Sequence, residues 1–102
     1  MNSLITNLYP QPNGTVSGEN LSCATSGSGV SFAAFDSDTK YVMIDVQDNN
    51  VIVTFDGSTP TASNGHLLVK EKELITLSAQ AAAAAKFLGV SGTSIVHASQ
   101  FV

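Results

Sequence analysis

The sequence predicts a mainly β, antiparallel domain with one short α-helix in its C-terminal half and an extended N-terminal arm. Two segments, 41–46 and 51–55, place apolar and β-branched side chains at every second position, the period that marks a strand. Polar segments rich in Gly, Pro, Asn and Asp separate the predicted strands. One alanine-rich segment has a helical composition.

The arm is predicted at residues 1–31, and a single β-rich domain at residues 32–102, because the chain is long enough for one hydrophobic core. Apart from Glu19 the arm carries no charged side chain, and Pro10 and Pro12 favour an extended backbone. Four apolar residues are expected to anchor it along the domain or across a neighbouring subunit: Leu4, Ile5, Leu8 and Tyr9. A free tail is the alternative, since Gly- and Ser-rich termini are commonly mobile.

The first strand is predicted at residues 30–35 and is followed by a polar turn at 36–40. The next two strands, 41–46 and 51–55, are separated by the turn-forming sequence Gln47-Asp48-Asn49-Asn50. Two β-branched strands joined by so short a turn predict an antiparallel hairpin.

A long polar loop is predicted at residues 56–65, because glycine, proline and asparagine each favour turn geometries. Strands are expected on both sides of a charged turn, at 66–69 and 73–77. A last strand is predicted at 94–102, and its apolar end indicates a docked C-terminus.

The helix is predicted over residues 78–88. Ser78 is placed to cap the first free amides, the alanines that follow have the highest helix propensity, and Gly89 is a typical helix terminator. A helix this short is marginal by itself. We therefore expect it to pack on the domain through Phe87 and Leu88.

Charge excludes one class of partner. The net charge is −4, with four lysines and no arginine, so the chain lacks the basic surface that nucleic-acid binding requires. No segment approaches the roughly 20 apolar residues that span a bilayer, and the start of the chain has no secretion-signal pattern. The expected partners therefore include neither nucleic acid nor a membrane.

Catalytic and metal-binding patterns are weak. Cys23 is the single cysteine, so it cannot form an internal disulfide, and with two histidines it makes a poor zinc site. Cys23 with His66 or His97 could supply a nucleophile and a base, but no recognisable signature surrounds it. The segment Asp36-Ser37-Asp38 lacks the glycine and the final glutamate of a calcium loop and is interpreted as a turn. We expect no enzyme activity, no cofactor and no metal.

Residues 51–68 resemble a pattern found in small virion proteins of tailed bacteriophages. A strand ending in Thr54-Phe55-Asp56-Gly57 is followed by Pro60-Thr61, a short polar stretch, Gly65-His66 and a hydrophobic strand. The start of the alanine-rich helix and the last β-segment are similar to the same proteins, so the likeness covers roughly residues 40–102. The resemblance implies a β-sandwich or barrel and a role as a capsid decoration (cement) protein or another head or tail component. It supplies no catalytic residues.

Three functions follow from these observations. The first is a decoration protein that stabilises the phage head through subunit contacts. It is expected on the capsid surface of the virion after synthesis in the host cytoplasm, as a homo-oligomer (dimer or trimer) bound to the major capsid protein or another virion protein. The second is a tail or adsorption component: a tail adaptor, a fibre or a receptor-binding or sugar-binding module. The third is a small soluble enzyme or regulator.

Low charge agrees with a contact protein, because only 12% of the residues are charged and a small domain exposes much of its surface. The contacts are predicted in the arm and in the polar loop. The residues expected to make them are Leu4, Ile5, Leu8, Tyr9, Asp56, Gly57, Ser58, Thr59, Pro60 and Asn64.

Overall fold

The computed structural model describes residues 18–72 and 74–102, and over those residues the chain forms two antiparallel sheets and one short helix. The elements are β1 (Glu19–Cys23), β2 (Tyr41–Gln47), β3 (Val51–Thr54), β4 (His66–Leu68), β5 (Ile75–Ser78), α1 (Ala79–Ala84), β6 (Lys86–Gly89) and β7 (Ser94–Phe101). One sheet has the strand order β1-β7-β2-β5 and the other β4-β3-β6. The predicted mainly β class with one short helix is confirmed.

The four-stranded sheet turns its apolar side chains toward the core. Val42, Ile44 and Val46 of β2 are buried, and the side chains between them are half-buried. The same apolar face continues onto β7, because Ile44 pairs with Ala98 and Val46 pairs with Val96. Paired residues of an antiparallel sheet lie on the same face, so these side chains form one wall of the core.

The three-stranded sheet forms the opposite wall. Val51 and Val53 of β3 are fully buried, and Val53 pairs with Phe87 of β6. Phe87 is the largest fully buried side chain among the described residues, and its ring packs edge-on against Phe32 with centroids 5.3 Å apart. The hydrophobic core therefore lies between the two sheets.

The hairpin predicted from β2 and β3 is wrong. β2 pairs with β5 and β7, whereas β3 pairs with β4 and β6, so the two strands belong to different sheets. The chain crosses between the sheets at Asp48, whose φ of +77° is tolerated by aspartate better than by most residues. Buried Ser94 braces the crossing, since its Oγ lies 2.9 Å from the carbonyl oxygen of Gln47 and 2.5 Å from that of Asn49.

The helix is shorter than predicted. Its N-terminus is as expected, because Ser78 Oγ accepts a hydrogen bond from the backbone N–H of Ala81. It ends at Ala84, however, and Lys86–Gly89 forms strand β6 instead of the last helical turn. A strand places Phe87 in the core and turns Leu88 to the other face of the sheet, and this burial outweighs the local helix propensity.

The boundary of the arm also differs from the prediction. Residues 19–23, which were predicted to belong to the arm, form β1. All five of them pair with residues 94–98 of β7. Their apolar residues Leu21 and Cys23 alternate with exposed polar ones, so the polar composition of the segment concealed a strand. The predicted arm anchors Leu4, Ile5, Leu8 and Tyr9 lie outside the described residues.

The strand predicted at residues 30–35 is reduced to a single bridge between Val30 and Phe87. Beyond it the chain runs as a loop held by aromatic packing, with the rings of Phe32 and Phe35 5.8 Å apart. The polar turn that follows is confirmed, since Asp36 Oδ1 accepts from the backbone N–H of Asp38 and its carbonyl oxygen accepts from that of Thr39. Asp36 therefore acts as a turn residue.

Candidate functional site

The loop that joins β3 to β4 is ordered by its own side chains. Asp56 Oδ1 accepts hydrogen bonds from the backbone N–H of Ser58 at 3.0 Å and from its hydroxyl at 2.5 Å. Thr54 Oγ1 donates to the carbonyl oxygen of Ser58 at 2.6 Å. Such side-chain to backbone bonds hold a turn without a regular ladder.

The second half of the loop is closed by Asn64. Its side-chain Nδ2 donates to Ser58 Oγ and to the carbonyl oxygen of Thr59, both at 3.0 Å, and its backbone exchanges two hydrogen bonds with Thr61. Pro60 is fully buried, and a side chain at Gly29 would contact its ring. Pro60, which was also predicted as a contact residue, therefore anchors the loop from beneath. Asp56, Gly57, Thr59 and Asn64 are exposed and Ser58 is half-buried, and their contact role stays a prediction.

Asp56 is an ionised, solvent-facing carboxylate. The two hydrogen bonds from Ser58 stabilise its charged form and hold the pKa of Asp56 below its ordinary value. Both bonds from Ser58 reach Oδ1, and the Asp56 side chain is exposed to solvent.

Gly65 allows the end of the loop to lie close against β3. Its φ is +129°, a conformation that side chains disfavour. A Cβ at this position would lie 2.5 Å from Cγ2 of Ile52 and 2.8 Å from the carbonyl oxygen of Val53. Glycine is required here both for the backbone conformation and for space.

A pocket of about 330 Å³ lies where β3 ends and β4 begins. Its lining consists of Thr54, Phe55, Asp56, Asn64, Gly65 and His66. The rings of Phe55 and His66 lie 6.1 Å apart with a tilt of 40°. We call this site the hairpin pocket. Asp56 and Asn64 were predicted as contact residues from the sequence, whereas Phe55 and His66 were not, although these two adjoin the loop at the ends of the predicted strands 51–55 and 66–69.

The outer face of the three-stranded sheet carries a row of apolar side chains. Register places Leu67 of β4, Ile52 of β3 and Leu88 of β6 side by side on the face opposite the core. Val69 and Val90 follow β4 and β6, and both are exposed, as is Leu67. These five residues form what we call the outer apolar face. A corresponding row on the outer face of the four-stranded sheet is polar, with Asn20, His97 and Asp45 side by side.

The side chains considered for catalysis are separated by the fold. Cys23 is buried on the core face of the four-stranded sheet, where it pairs with Ser94, whereas His97 lies on the outer face of the same sheet and contacts Asn20. His66 belongs to the other sheet. The structure therefore brings neither histidine to the thiol.

The Cys23 thiol is expected to react slowly with iodoacetamide while the protein is folded. Burial raises its pKa from 9.0 to about 11, so at pH 8 its thiolate fraction is about a hundredfold smaller than that of an ordinary thiol. Alkylation followed by mass spectrometry, with and without urea, measures this. Equal rates in the two conditions would contradict the buried placement.

The same pKa shift predicts a pH dependence of stability. Because the thiol ionises more readily in the unfolded chain, its contribution to stability is present below pH 9.0 and declines as the pH rises toward about 11. Urea unfolding of the wild-type protein and a Cys23→Ala variant across this range checks the sign. The wild type should lose more stability than the variant.

Among residues 18–72 and 74–102, no three His, Cys, Asp or Glu side chains come together where they could hold a metal ion. In the same part of the chain, no helix has the length and apolar character needed to cross a membrane. Comparison of the chain with protein-family models, with curated proteins and with solved structures finds no match.

Proposed function

We propose that this chain is a structural protein of a tailed-phage particle, a capsid decoration protein that binds the capsid shell protein through the outer apolar face. The observation that carries the proposal is the row of Leu67, Ile52 and Leu88 on the side of a small sheet that faces away from the core. An apolar patch at the surface of a small domain is typical of a protein-binding site.

The sequence likeness and the surface coincide. Residues 51–68, which resemble phage virion proteins, form β3, the ordered loop and β4. This hairpin supplies Ile52 and Leu67 of the outer apolar face and all the residues that line the hairpin pocket. The choice of a shell protein as occupant rests on this coincidence. The polar outer row of the four-stranded sheet contains none of the residues 51–68 that carry the motif.

Energetics favour a contact made by many copies. Full burial of one large apolar side chain contributes about 1.5–3 kcal/mol, so the exposed parts of this face supply a modest affinity for one copy. An ordered loop beside the face loses little further entropy on binding. A dimer or trimer multiplies a weak contact by avidity, which fits the proposed homo-oligomer on a repeating shell.

A tail or adsorption component is the second candidate function. The hairpin pocket favours it, since Phe55 supplies an exposed ring beside polar groups, as a receptor-binding module requires. Copy number separates the two candidates.

The first measurement is the mass of the purified protein by light scattering, followed by quantitative mass spectrometry of intact particles made from the genome that encodes it. Hundreds of copies per particle, with a dimer or trimer in solution, are the expected result. A few copies would support the tail, and absence from the particle would overturn the proposed function.

A charge on the outer apolar face is expected to block incorporation. Leu67→Asp places a carboxylate at a side chain that is 56% exposed, so folding is spared while docking must desolvate a charge. We expect at least a tenfold loss of particle-bound protein, by the order of magnitude of one such penalty. Leu74→Asp is the matched control, because Leu74 is 60% exposed and precedes β5 of the other sheet. Equal loss in both variants would contradict the assignment of the face.

A further inference from the structure

We propose that the hairpin pocket binds a neutral saccharide residue. This inference does not depend on the proposed function: none of the residues that line the pocket belongs to the outer apolar face. The pocket combines an exposed aromatic ring, polar groups beside it and a loop held in place by its own hydrogen bonds.

The apolar wall of the pocket is aromatic. Phe55 is 36% exposed at the end of β3, and its ring meets that of His66 at an angle of 40° rather than stacking on it. Rings held in this way leave part of their surface open to a ligand. A pyranose ring presents a patch of C–H groups that packs on such a surface while its hydroxyls point outward.

The hydrogen bonds within the loop determine which polar atoms remain for a ligand at the pocket. Asp56 uses Oδ1 for the turn with Ser58, and Asn64 uses Nδ2 for Ser58 and Thr59. The second carboxylate oxygen of Asp56 and the amide oxygen of Asn64 take no part in these bonds and can accept from a ligand, and the imidazole of His66 can donate or accept. Two acceptors, together with an imidazole that can donate or accept, are suited to binding hydroxyl groups.

Charge and size narrow the ligand class. Asp56 is the one charged side chain in the lining, and its low pKa keeps it ionised, so phosphates and acidic sugars are repelled. A volume of about 330 Å³ is at the small end of ligand pockets and suits one or two sugar rings. The hydrogen-bonded loop is already in place, which reduces the entropy that binding must overcome.

The test is an NMR titration of the ¹⁵N-labelled full-length protein with methyl glycosides of glucose, galactose, mannose and N-acetylglucosamine. For at least one of them we expect saturable shifts of the Phe55, Asp56, Gly65 and His66 amides, with a Kd on the order of 1 mM. Phe55→Ala should weaken that binding at least about tenfold, the size of a lost ring contact.

Leu67→Asp is the matched control, because it changes the same hairpin outside the pocket and should leave the Kd unchanged. Ethanolamine tests the alternative that the Asp56 carboxylate binds a primary amine and not a sugar. No saturable shift with any glycoside, shifts elsewhere on the protein, or binding of the amine in place of sugars would each overturn the proposal. Phe55→Ala should still enter particles and Leu67→Asp should still bind sugar, so failure of this site is distinguishable from failure of the proposed function.

Discussion

Replacing Phe87 with alanine is expected to lower the free energy of unfolding by about 3–5 kcal/mol, the usual cost of removing a buried phenylalanine. The ring is fully buried between the sheets, packs against Phe32, and belongs to the strand that pairs with both β3 and Val30. Its loss leaves a cavity that the neighbouring strands cannot close without breaking their own pairing. Urea unfolding monitored by circular dichroism measures the change.

Leu88→Ala is the control that tests the strand assignment of residues 86–89. Leu88 lies on the outer face of β6 and is only partly buried, so its replacement should cost about 1 kcal/mol. In the helix predicted from the sequence, both side chains would pack on the domain and both changes would be costly. Similar losses for the two variants would therefore contradict the strand.

Gly65→Ala is expected to destabilise the protein by about 2–4 kcal/mol, from backbone strain together with overpacking. The φ of +129° disfavours any side chain, and the new Cβ would meet both Ile52 and the carbonyl oxygen of Val53. The loop must move away from β3 to accept it. Thermal unfolding measures the loss, and the same variant should also lose sugar binding because the pocket changes shape.

Gly57→Ala separates these two causes. Gly57 also has a positive φ, +84°, but a Cβ there would meet nothing within 4 Å. Strain alone predicts a cost of about 1 kcal/mol. If Gly57→Ala and Gly65→Ala cost the same, crowding against β3 contributes nothing.

The hairpin of β3 and β4 combines two kinds of surface. Its strands turn Ile52 and Leu67 to the outer apolar face, and its ends hold Phe55 and His66 at the pocket. A particle protein that contacts the shell through one and a sugar through the other would carry residues of both on a single hairpin. The two proposals are nevertheless tested by different variants, and each can fail alone.

The candidate site was only partly predictable. The turn chemistry of residues 56–65 identified an exposed loop, and Asp56 and Asn64 were named within it because both residue types form turns through their side chains. Phe55 and His66 were not predicted to belong to the same site, because both lie in predicted strands, 51–55 and 66–69, where apolar and mixed side chains are ordinary. The pairing of Val53 with His66 brings the two rings together, and pairing between distant segments is not encoded in either segment alone.

By itself the sequence determined the class of the fold, the position of most strands, the helix start at Ser78 and the core face of β2, because these depend on alternation and capping over a few neighbouring residues. The tertiary structure decided which strands are partners. The alternating patterns of β2 and β3 would suit two strands paired in one sheet or two strands that face each other across the core. The second arrangement is the observed one, and it buries Val42, Ile44, Val51 and Val53 between the two sheets. Burial likewise places Phe87 in a strand where the local sequence favours a helix. The long-range contacts of the core outweigh a helix propensity of less than about 1 kcal/mol per residue.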